Sequence, residues 1–243
     1  MKATLFTLLT FFALISNAQN LLVPGKNTFE KKWIRLQEYK MQWFTIRDTN
    51  MIEIGEVTTK FLTDKNKLTI VTSVEMKNSK TPWIDSTVAS LIDLSPIRHT
   101  SNNARRNMAL NFGSTVTGIY EDKIKGIQTN ISDTPKGTYF DSNLYPMLIS
   151  WLPLKENLKS EISIYDYNPT GKIGITKAWV KNVTNGSYAT SKYGTVKVWI
   201  VSVEDGISNG QTSMNFYIGQ ADRKLWKQEI NASGRKMVMQ RME

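Results

Sequence analysis

His99 is the only histidine in the chain, so a Ser-His-Asp triad or a multi-histidine metal site would have to include it. Its neighbours Arg98, Arg105 and Arg106 carry positive charges that oppose both a bound cation and protonation of the imidazole. Arginine offers paired donors to a phosphate or a carboxylate. Arg98, His99, Arg105 and Arg106 are therefore our candidate for anion binding, and a structural histidine at a strand end is the simpler interpretation.

Two carboxylates suffice for a glycosidase, and Asp85, Asp93, Asp141 and Asp166 are available. Three of the four stand beside predicted turns or helix ends, where aspartate bonds nearby backbone groups. The chain has no cysteine, which excludes thiol nucleophiles, thiolate zinc sites and iron–sulfur clusters. It also has no phosphate-binding glycine loop, nucleophile elbow or calcium loop. We expect no catalytic residue, metal or cofactor, and keep a hydrolase of an envelope glycan as an alternative.

One apolar segment has helical spacing. Leu144, Met147, Leu148 and Trp151 stand at i, i+3, i+4 and i+7, which places them on one face of a helix. We predict a short amphipathic helix near 142–152 that covers an opening or a face of a sheet and lines an apolar pocket with these four side chains. A helix on a membrane surface is the alternative, but its polar side would carry no basic residue.

The residues around this segment also favour a helix. Asp141 or Ser142 can cap its N-terminus, and Pro146 is tolerated in the first turn. Pro153 ends the pattern. The predicted helix is therefore about three turns long.

Alternation of apolar and polar residues dominates the rest of the chain. Leu68, Ile70 and Val74, for example, share one face of a predicted strand. Many strand-like runs are separated by turn residues such as Asp48-Thr49-Asn50. The runs are 33–46 (which also fits a helix), 52–63, 67–76, 83–92, 107–112, 114–120, 173–181, 195–203, 213–218, 225–230 and 236–242. They indicate a mostly β protein, an antiparallel meander that forms a barrel, a half-barrel or a sandwich.

The first 18 residues have the features of a secretory signal peptide. Lys2 supplies the positive charge, residues 5–15 form an apolar run too short to span a membrane, and Ala18 ends a small-residue cleavage site. We expect a periplasmic or secreted protein without a transmembrane segment after cleavage, and without a lipid anchor because cysteine is absent. Residues 19–243 then form a single β domain, whose order of strands and turns also fits two related halves, about 19–140 and 154–243, joined by the helix.

The chain carries a formal net charge of +10. In a cytoplasmic protein this charge would indicate nucleic acid as a partner, but export removes that expectation. The anions of the envelope are lipid headgroups, lipopolysaccharide phosphates and acidic glycans. Because no run of Lys or Arg exceeds two residues, the charge predicts a solvated basic surface rather than a dedicated polybasic segment.

A set of turn and packing motifs is spread over nearly all of the predicted mature chain. They are Trp83-Ile84-Asp85, Leu94-Ser95-Pro96-Ile97-Arg98-His99, Asn111-Phe112-Gly113, Val116-Thr117-Gly118, Tyr145-Pro146, Trp151-Leu152-Pro153-Leu154 and Lys224-Leu225-Trp226-Lys227-Gln228-Glu229. These motifs resemble those of a family of exported bacterial proteins defined only as a domain of unknown function. The resemblance implies a β-barrel or half-barrel, distantly similar to the periplasmic carriers that shield the acyl chains of lipoproteins. It implies no activity, because a shared fold does not establish function.

The leading hypothesis is a non-enzymatic envelope protein that holds an apolar or amphipathic, lipid-like ligand between a curved sheet and the helix at 142–152. The alternative from another class is an interaction or scaffold protein with a filled core that acts through its basic surface. The two differ in whether a cavity lies under the helix.

Overall fold

The structure is a computed structural model, which describes residues 21–207 and 212–243. The predicted signal peptide, residues 1–18, lies outside the described residues. No helix in the described part of the chain is long and apolar enough to cross a membrane.

The described residues form sixteen β-strands, one α-helix and one 3₁₀ turn at Lys31–Trp33. The helix is α1, Tyr145–Trp151. The strands, in chain order, are β1 Leu21–Leu22, β2 Gln37–Arg47, β3 Asn50–Asp64, β4 Lys67–Met76, β5 Trp83–Ser90, β6 Pro96–Asn102, β7 Arg106–Asn111, β8 Val116–Asp122, β9 Ile127–Asp133, β10 Phe140–Asp141, β11 Ser160–Tyr167, β12 Ile173–Ala189, β13 Thr195–Asp205, β14 Thr212–Gly219, β15 Leu225–Ala232 and β16 Arg235–Arg241.

All sixteen strands belong to one sheet. β11 to β16 form one antiparallel meander and β2 to β9 form another, and the two are joined where β16 pairs with β2. β1 and β10 add parallel pairings to β11, which makes the sheet mixed. The predicted mostly β meander with one short helix is confirmed. Among the predicted architectures the closed barrel is excluded, because the path of paired strands runs from β1 to β9 without returning.

The tight turns between strands follow from residues that accept a left-handed backbone. Ser233 and Gly234 join β15 to β16 with φ of 51° and 80°, as a two-residue hairpin with two positive φ angles requires. Asp48, at φ 54°, turns the chain between β2 and β3. These local turns set the register of neighbouring strands, because a two-residue loop fixes which residues of the two strands pair.

One face of the sheet, here called the inner face, carries the large apolar side chains. On β4 the inner residues Leu68, Ile70 and Val74 are buried, as period-two alternation predicts. The helix α1 packs on this face, with Leu148 and Trp151 in the same core cluster. The core therefore lies between the inner face and α1.

The two ends of the sheet overlap. Ile162 and Ile164 of β11 face the main core, whereas Tyr165 and Tyr167 of the same strand belong to a second cluster with side chains of β7, β8 and β9. β11 is consequently buried on both faces. The sheet must curl for its distant strands β7 to β9 to cover the outer side of β11.

Three local predictions differ from the structure. The helix spans seven residues, about two turns, and begins after Leu144 without a side-chain cap, because Asp141 and Ser142 bond to other groups. The segment 33–46 is mostly strand β2, preceded by the 3₁₀ turn. β6, β9 and β11, and the two-residue strands β1 and β10, have no counterpart in the list of predicted strands. The internal similarity of the two halves stays a prediction.

Replacing Trp151 by alanine tests whether α1 is part of the core. Trp151 is 1% exposed and meets the Phe61 ring edge-on at 6.2 Å between centroids. Trp151→Ala should lower the free energy of unfolding by about 3–5 kcal/mol, because it leaves a large cavity. Chemical denaturation measures this loss. Ile124→Ala, at a residue 74% exposed, is the control and should change stability by less than about 0.5 kcal/mol. A loss below about 1 kcal/mol for Trp151→Ala would contradict helix docking.

Candidate functional site

A cavity lies between α1 and the inner face of the sheet. The sheet contributes Phe61 of β3, Phe216 and Ile218 of β14, and Leu225 of β15. The helix contributes Pro146, Met147 and Ser150, and the remaining lining residues are Gln37, Tyr39 and Arg223. In this conformation the cavity has room for about one water molecule.

Side-chain contacts across the cavity hold the helix over the sheet. The Tyr39 hydroxyl of β2 donates to the Met147 sulfur at 3.6 Å. The Ser150 hydroxyl bonds within the helix, to the Met147 carbonyl at 2.7 Å, and so makes no bond across the cavity in the described structure. The contacts across the cavity are therefore mainly apolar.

Hydrogen bonds at its two ends anchor α1. The Tyr145 hydroxyl donates to Asp205 Oδ2 at 2.5 Å, and the Glu30 backbone N–H donates to the Trp151 carbonyl at 2.7 Å. Burial, and then the Asp205 carboxylate, raises the pKa of Tyr145 well above its ordinary value. This phenol therefore stays protonated and keeps its donor role through the physiological pH range.

Arg223 is the charged residue of the cavity wall. It lies in the turn between β14 and β15 at φ 59°, and only 9% of its side chain is exposed. Its Nη2 donates to Glu30 Oε2 at 3.2 Å. Its Nε and Nη1 are buried and have no hydrogen-bond partner among the described residues. Burial lowers the pKa of Arg223 and Glu30 opposes that shift, but a guanidinium group remains charged at neutral pH.

Arg223 is one of three cationic side chains that lie around the Trp33 ring. The Lys32 ammonium and the Arg35 guanidinium each lie 5.2 Å from the centroid of the Trp33 ring, and the Arg223 guanidinium lies 5.4 Å from it. Glu30 is the carboxylate of this group and accepts from Lys32 at 2.9 Å and from Trp33 Nε1 at 3.0 Å. We call these three cations the basic mouth. With one carboxylate against three cations, it is electropositive.

A second polar group fixes the chain just before α1. Asp141 of β10 is 1% exposed, and it accepts from Thr87 Oγ1 at 2.7 Å and pairs with His99 Nδ1 at 3.0 Å. The Asn143 side chain donates to Thr87 Oγ1 at 2.8 Å. Ser142 donates to Asp166 of β11 at 2.7 Å. These bonds connect β5, β6 and β11 to the start of the helix.

Asp141 sets the ionisation of His99. Burial alone would lower the pKa of the imidazole, but the Asp141 charge and hydrogen bond outweigh it, so the pKa of His99 is raised. Asp85 also raises it and Arg106 lowers it. The sequence-based expectation that nearby arginines oppose protonation of His99 is thus outweighed by a carboxylate that comes from a distant strand.

The aspartates proposed for a hydrolase are only partly brought together. Asp85, Asp141 and Asp166 lie near His99, while Asp93 accepts from Ser95 in a turn. Burial raises the pKa of Asp166. Asp141 and His99 are buried, and their contact tethers the chain before α1. A hydrolase activity stays an untested alternative. No cluster of three or more His, Asp or Glu side chains suited to a metal occurs in the described ranges.

The structure divides the residues predicted to bind an anion. His99 points to the inner face, whereas Arg98 is its neighbour on the strand and is exposed on the opposite side. Arg105 is exposed in the turn before β7. Arg106 is half-buried and donates to Ser101 through Nε and Nη2 at 3.3 and 3.2 Å. The four side chains do not converge, and an anion-binding role for them stays a prediction.

The residues predicted to line a pocket lie on the helix or at its start, as expected. Leu144, Leu148 and Trp151 are fully buried in packed core, and Met147 is the member of the set that lines the cavity. Arg223 was not among the predicted site residues. It stands beside Asp222 and Lys224 in a charged turn, and no sequence signal marks it as buried.

A family-level comparison covers most of this structure. The sequence model of a family described as a protein of unknown function, DUF3108, matches residues 38–240. The chain belongs to this family. The predicted resemblance to a domain of unknown function is thereby confirmed, and the DUF3108 region includes every strand from β3 to β15 and the helix. Neither a curated protein nor a solved structure matches the chain significantly, so the similarity to lipoprotein carriers has no support from known structures.

The pKa of His99 is a direct test of the Asp141 contact, because a single histidine gives a single set of imidazole resonances in NMR. We expect His99 to titrate above about 6.5, its ordinary value, and below it in Asp141→Asn, where burial dominates. The stabilisation from this pair is fully present below the unfolded pKa of about 6.5 and is lost as pH rises through the higher folded pKa.

Two further variants make this test specific. Arg98→Gln, on the opposite side of β6, should leave the titration of His99 unchanged. Thr87→Val removes one hydrogen bond to the same carboxylate while keeping its charge, so His99 should still titrate above about 6.5. A wild-type imidazole that titrates below that value would contradict the assigned contact.

Proposed function

We propose that this DUF3108 protein is an exported, non-enzymatic binding protein that holds an apolar or amphipathic ligand between the inner face of its sheet and α1. The observation that carries the proposal is the apolar-lined cavity beneath a short helix. Phe61, Phe216 and Ile218 on the sheet face Met147 on the helix across this space. Such a wall recognises a hydrocarbon chain by area rather than by specific polar contacts.

The ligand enters by displacement of the helix. A cavity with room for about one water molecule is too small for a hydrocarbon chain, so α1 has to move away from the sheet. α1 has only seven residues and is fixed at its ends by the Tyr145–Asp205 and Glu30–Trp151 hydrogen bonds. An isolated helix of this length is not stable in water, so its position depends on docking contacts that a ligand can replace.

Export supports the same proposal from another direction. The signal-like pattern at 1–18 directs the protein to the periplasm or the outside of the cell, where lipids and lipid-linked molecules must cross an aqueous space. A protein that covers an acyl chain removes apolar surface from water, at roughly 25 cal/mol for each Å² buried.

The second candidate is an interaction protein with a filled core, and the tight packing under α1 favours it. Its contact surface would include the free edge of the sheet at β9, whose neighbour on one side is β8 and which pairs with no other described strand. β9 contains no lysine, arginine or proline, the residues that commonly protect an edge from pairing. Ile127 on this strand is 54% exposed.

Filling the cavity with a larger side chain separates the two candidates. Ser150→Trp removes no apolar contact and adds an indole that is too large for the cavity of the docked conformation, so the indole occupies the space that a ligand would use when α1 moves away from the sheet. We expect it to weaken binding of N-phenyl-1-naphthylamine, a neutral apolar fluorophore, at least about tenfold, which corresponds to about 1.4 kcal/mol. The measurement is a fluorescence titration of the purified protein.

Ser132→Trp, on the exposed side of β9, is the matched control and should bind the fluorophore like the wild type. Ser150→Leu serves as a milder filling variant if the tryptophan variant does not fold, as judged by circular dichroism. A wild-type protein that binds no fluorophore, and that carries no lipid when native mass spectrometry is applied directly from the periplasm, would favour the interaction protein.

A further inference from the structure

Arg223 is the single charged residue among the ten that line the cavity of the described structure. A cavity that served only a hydrocarbon chain would need no cation, because burying a charge costs free energy that apolar contacts do not return. A buried guanidinium group in an apolar wall therefore requires a partner.

Glu30 satisfies only part of this requirement. It accepts from Nη2 of Arg223 at 3.2 Å, but it also accepts from Lys32 and from Trp33. The Nε and Nη1 atoms of Arg223 remain buried, and no described residue accepts a hydrogen bond from them. Together these two atoms carry three N–H bonds, and each atom forms with Nη2 one of the two donor pairs by which a guanidinium group binds the oxygens of a carboxylate or a phosphate.

The residues around Arg223 favour a bound anion, rather than another acidic side chain of the protein, as the missing partner of its guanidinium group. Lys32 and Arg35 are exposed beside Trp33, and with Arg223 they form the basic mouth, where three cations face the single carboxylate of Glu30. An incoming anion is attracted by this excess positive charge before it reaches the buried guanidinium group. The cavity thus has an apolar wall and a cationic end.

We propose that the ligand is an amphiphile with an anionic headgroup, a carboxylate or a phosphate, that binds the guanidinium group of Arg223 while its hydrocarbon chain lies against Phe61, Phe216 and Ile218. This inference rests on the proposed function and specifies its ligand class. A neutral headgroup would leave the Arg223 charge without its partner, so the site discriminates between heads on identical chains.

The test compares three probes that share a sixteen-carbon chain: palmitate, a palmitoyl lysophosphatidic acid and monopalmitin. Each is titrated below its critical micelle concentration as a competitor of N-phenyl-1-naphthylamine. We expect the wild type to bind at least one of the two anionic probes about tenfold or more tightly than neutral monopalmitin. Whichever of the two anionic probes binds more tightly shows whether the site prefers a fatty-acid carboxylate or a lipid phosphate.

Arg223→Met should remove this preference by weakening the anionic probes about tenfold or more, while monopalmitin changes by less than about threefold. Arg223→Lys should restore part of the loss, because an ammonium keeps the charge without the guanidinium geometry. Glu30→Gln should act in the opposite direction and strengthen the anionic probes, because it removes a competing carboxylate. A gain in affinity cannot arise from misfolding, so this variant keeps the test decisive if Arg223→Met is unstable.

Arg47→Met, at an exposed position in the β2–β3 hairpin, controls for the loss of one positive charge and should leave all three affinities unchanged. Equal binding of the three probes to the wild type, or equal losses for all three in Arg223→Met, would overturn the headgroup assignment while leaving the proposed binding function intact. Failure of the wild type to bind N-phenyl-1-naphthylamine or any of the three probes would overturn both.

Discussion

The inner face of the sheet is apolar, and water must be kept away from it. The seven-residue helix α1 covers part of this face, with Leu148, Ile149 and Trp151 fully buried. A helix this short has little stability of its own, so its position depends on anchors at each end. Tyr145 bonds to Asp205 at one end, and Glu30 bonds to the Trp151 carbonyl at the other. The shape of the cavity and the direction of its lining side chains follow from this docking.

The curl of the sheet is the second consequence of covering apolar surface. β11 carries apolar side chains on both faces, and a strand of this kind is stable only when both faces are covered. The helix and main core cover the side of Ile162 and Ile164, and β7 to β9 cover the side of Tyr165 and Tyr167. The overlap brings β5 and β6 close to β10. There Asp141 pairs with His99 and fixes the segment from which α1 begins.

The two buried polar groups near α1 differ in how completely they are satisfied. Asp141 accepts hydrogen bonds from Thr87 and from the Asn143 backbone and pairs with His99, so its carboxylate is fully engaged, while Nε2 of His99 is buried without a hydrogen-bond partner among the described residues. Arg223 has one carboxylate partner for a group with five N–H donors. A fully engaged group serves structure, whereas a buried charge with unused donors is suited to a ligand. The Asp141 group thus anchors the start of the helix, whereas Arg223 gives the cavity wall a positive charge.

Local patterns in the sequence determined the mostly β class, strands such as 67–76 and the position of the helix, because period-two and period-3.6 spacing depend only on near neighbours. The tertiary structure decided which distant residues meet. Asp141 and Ser142 looked like helix caps, but they bond to His99 and Asp166, 42 and 24 positions away from them. Arg223 looked like a surface turn residue, but its side chain is buried and pairs with Glu30, 193 positions away. Such contacts arise from the curl of the sheet. The spacing of residues along the chain predicts local structure, but it does not show which distant residue will be the partner.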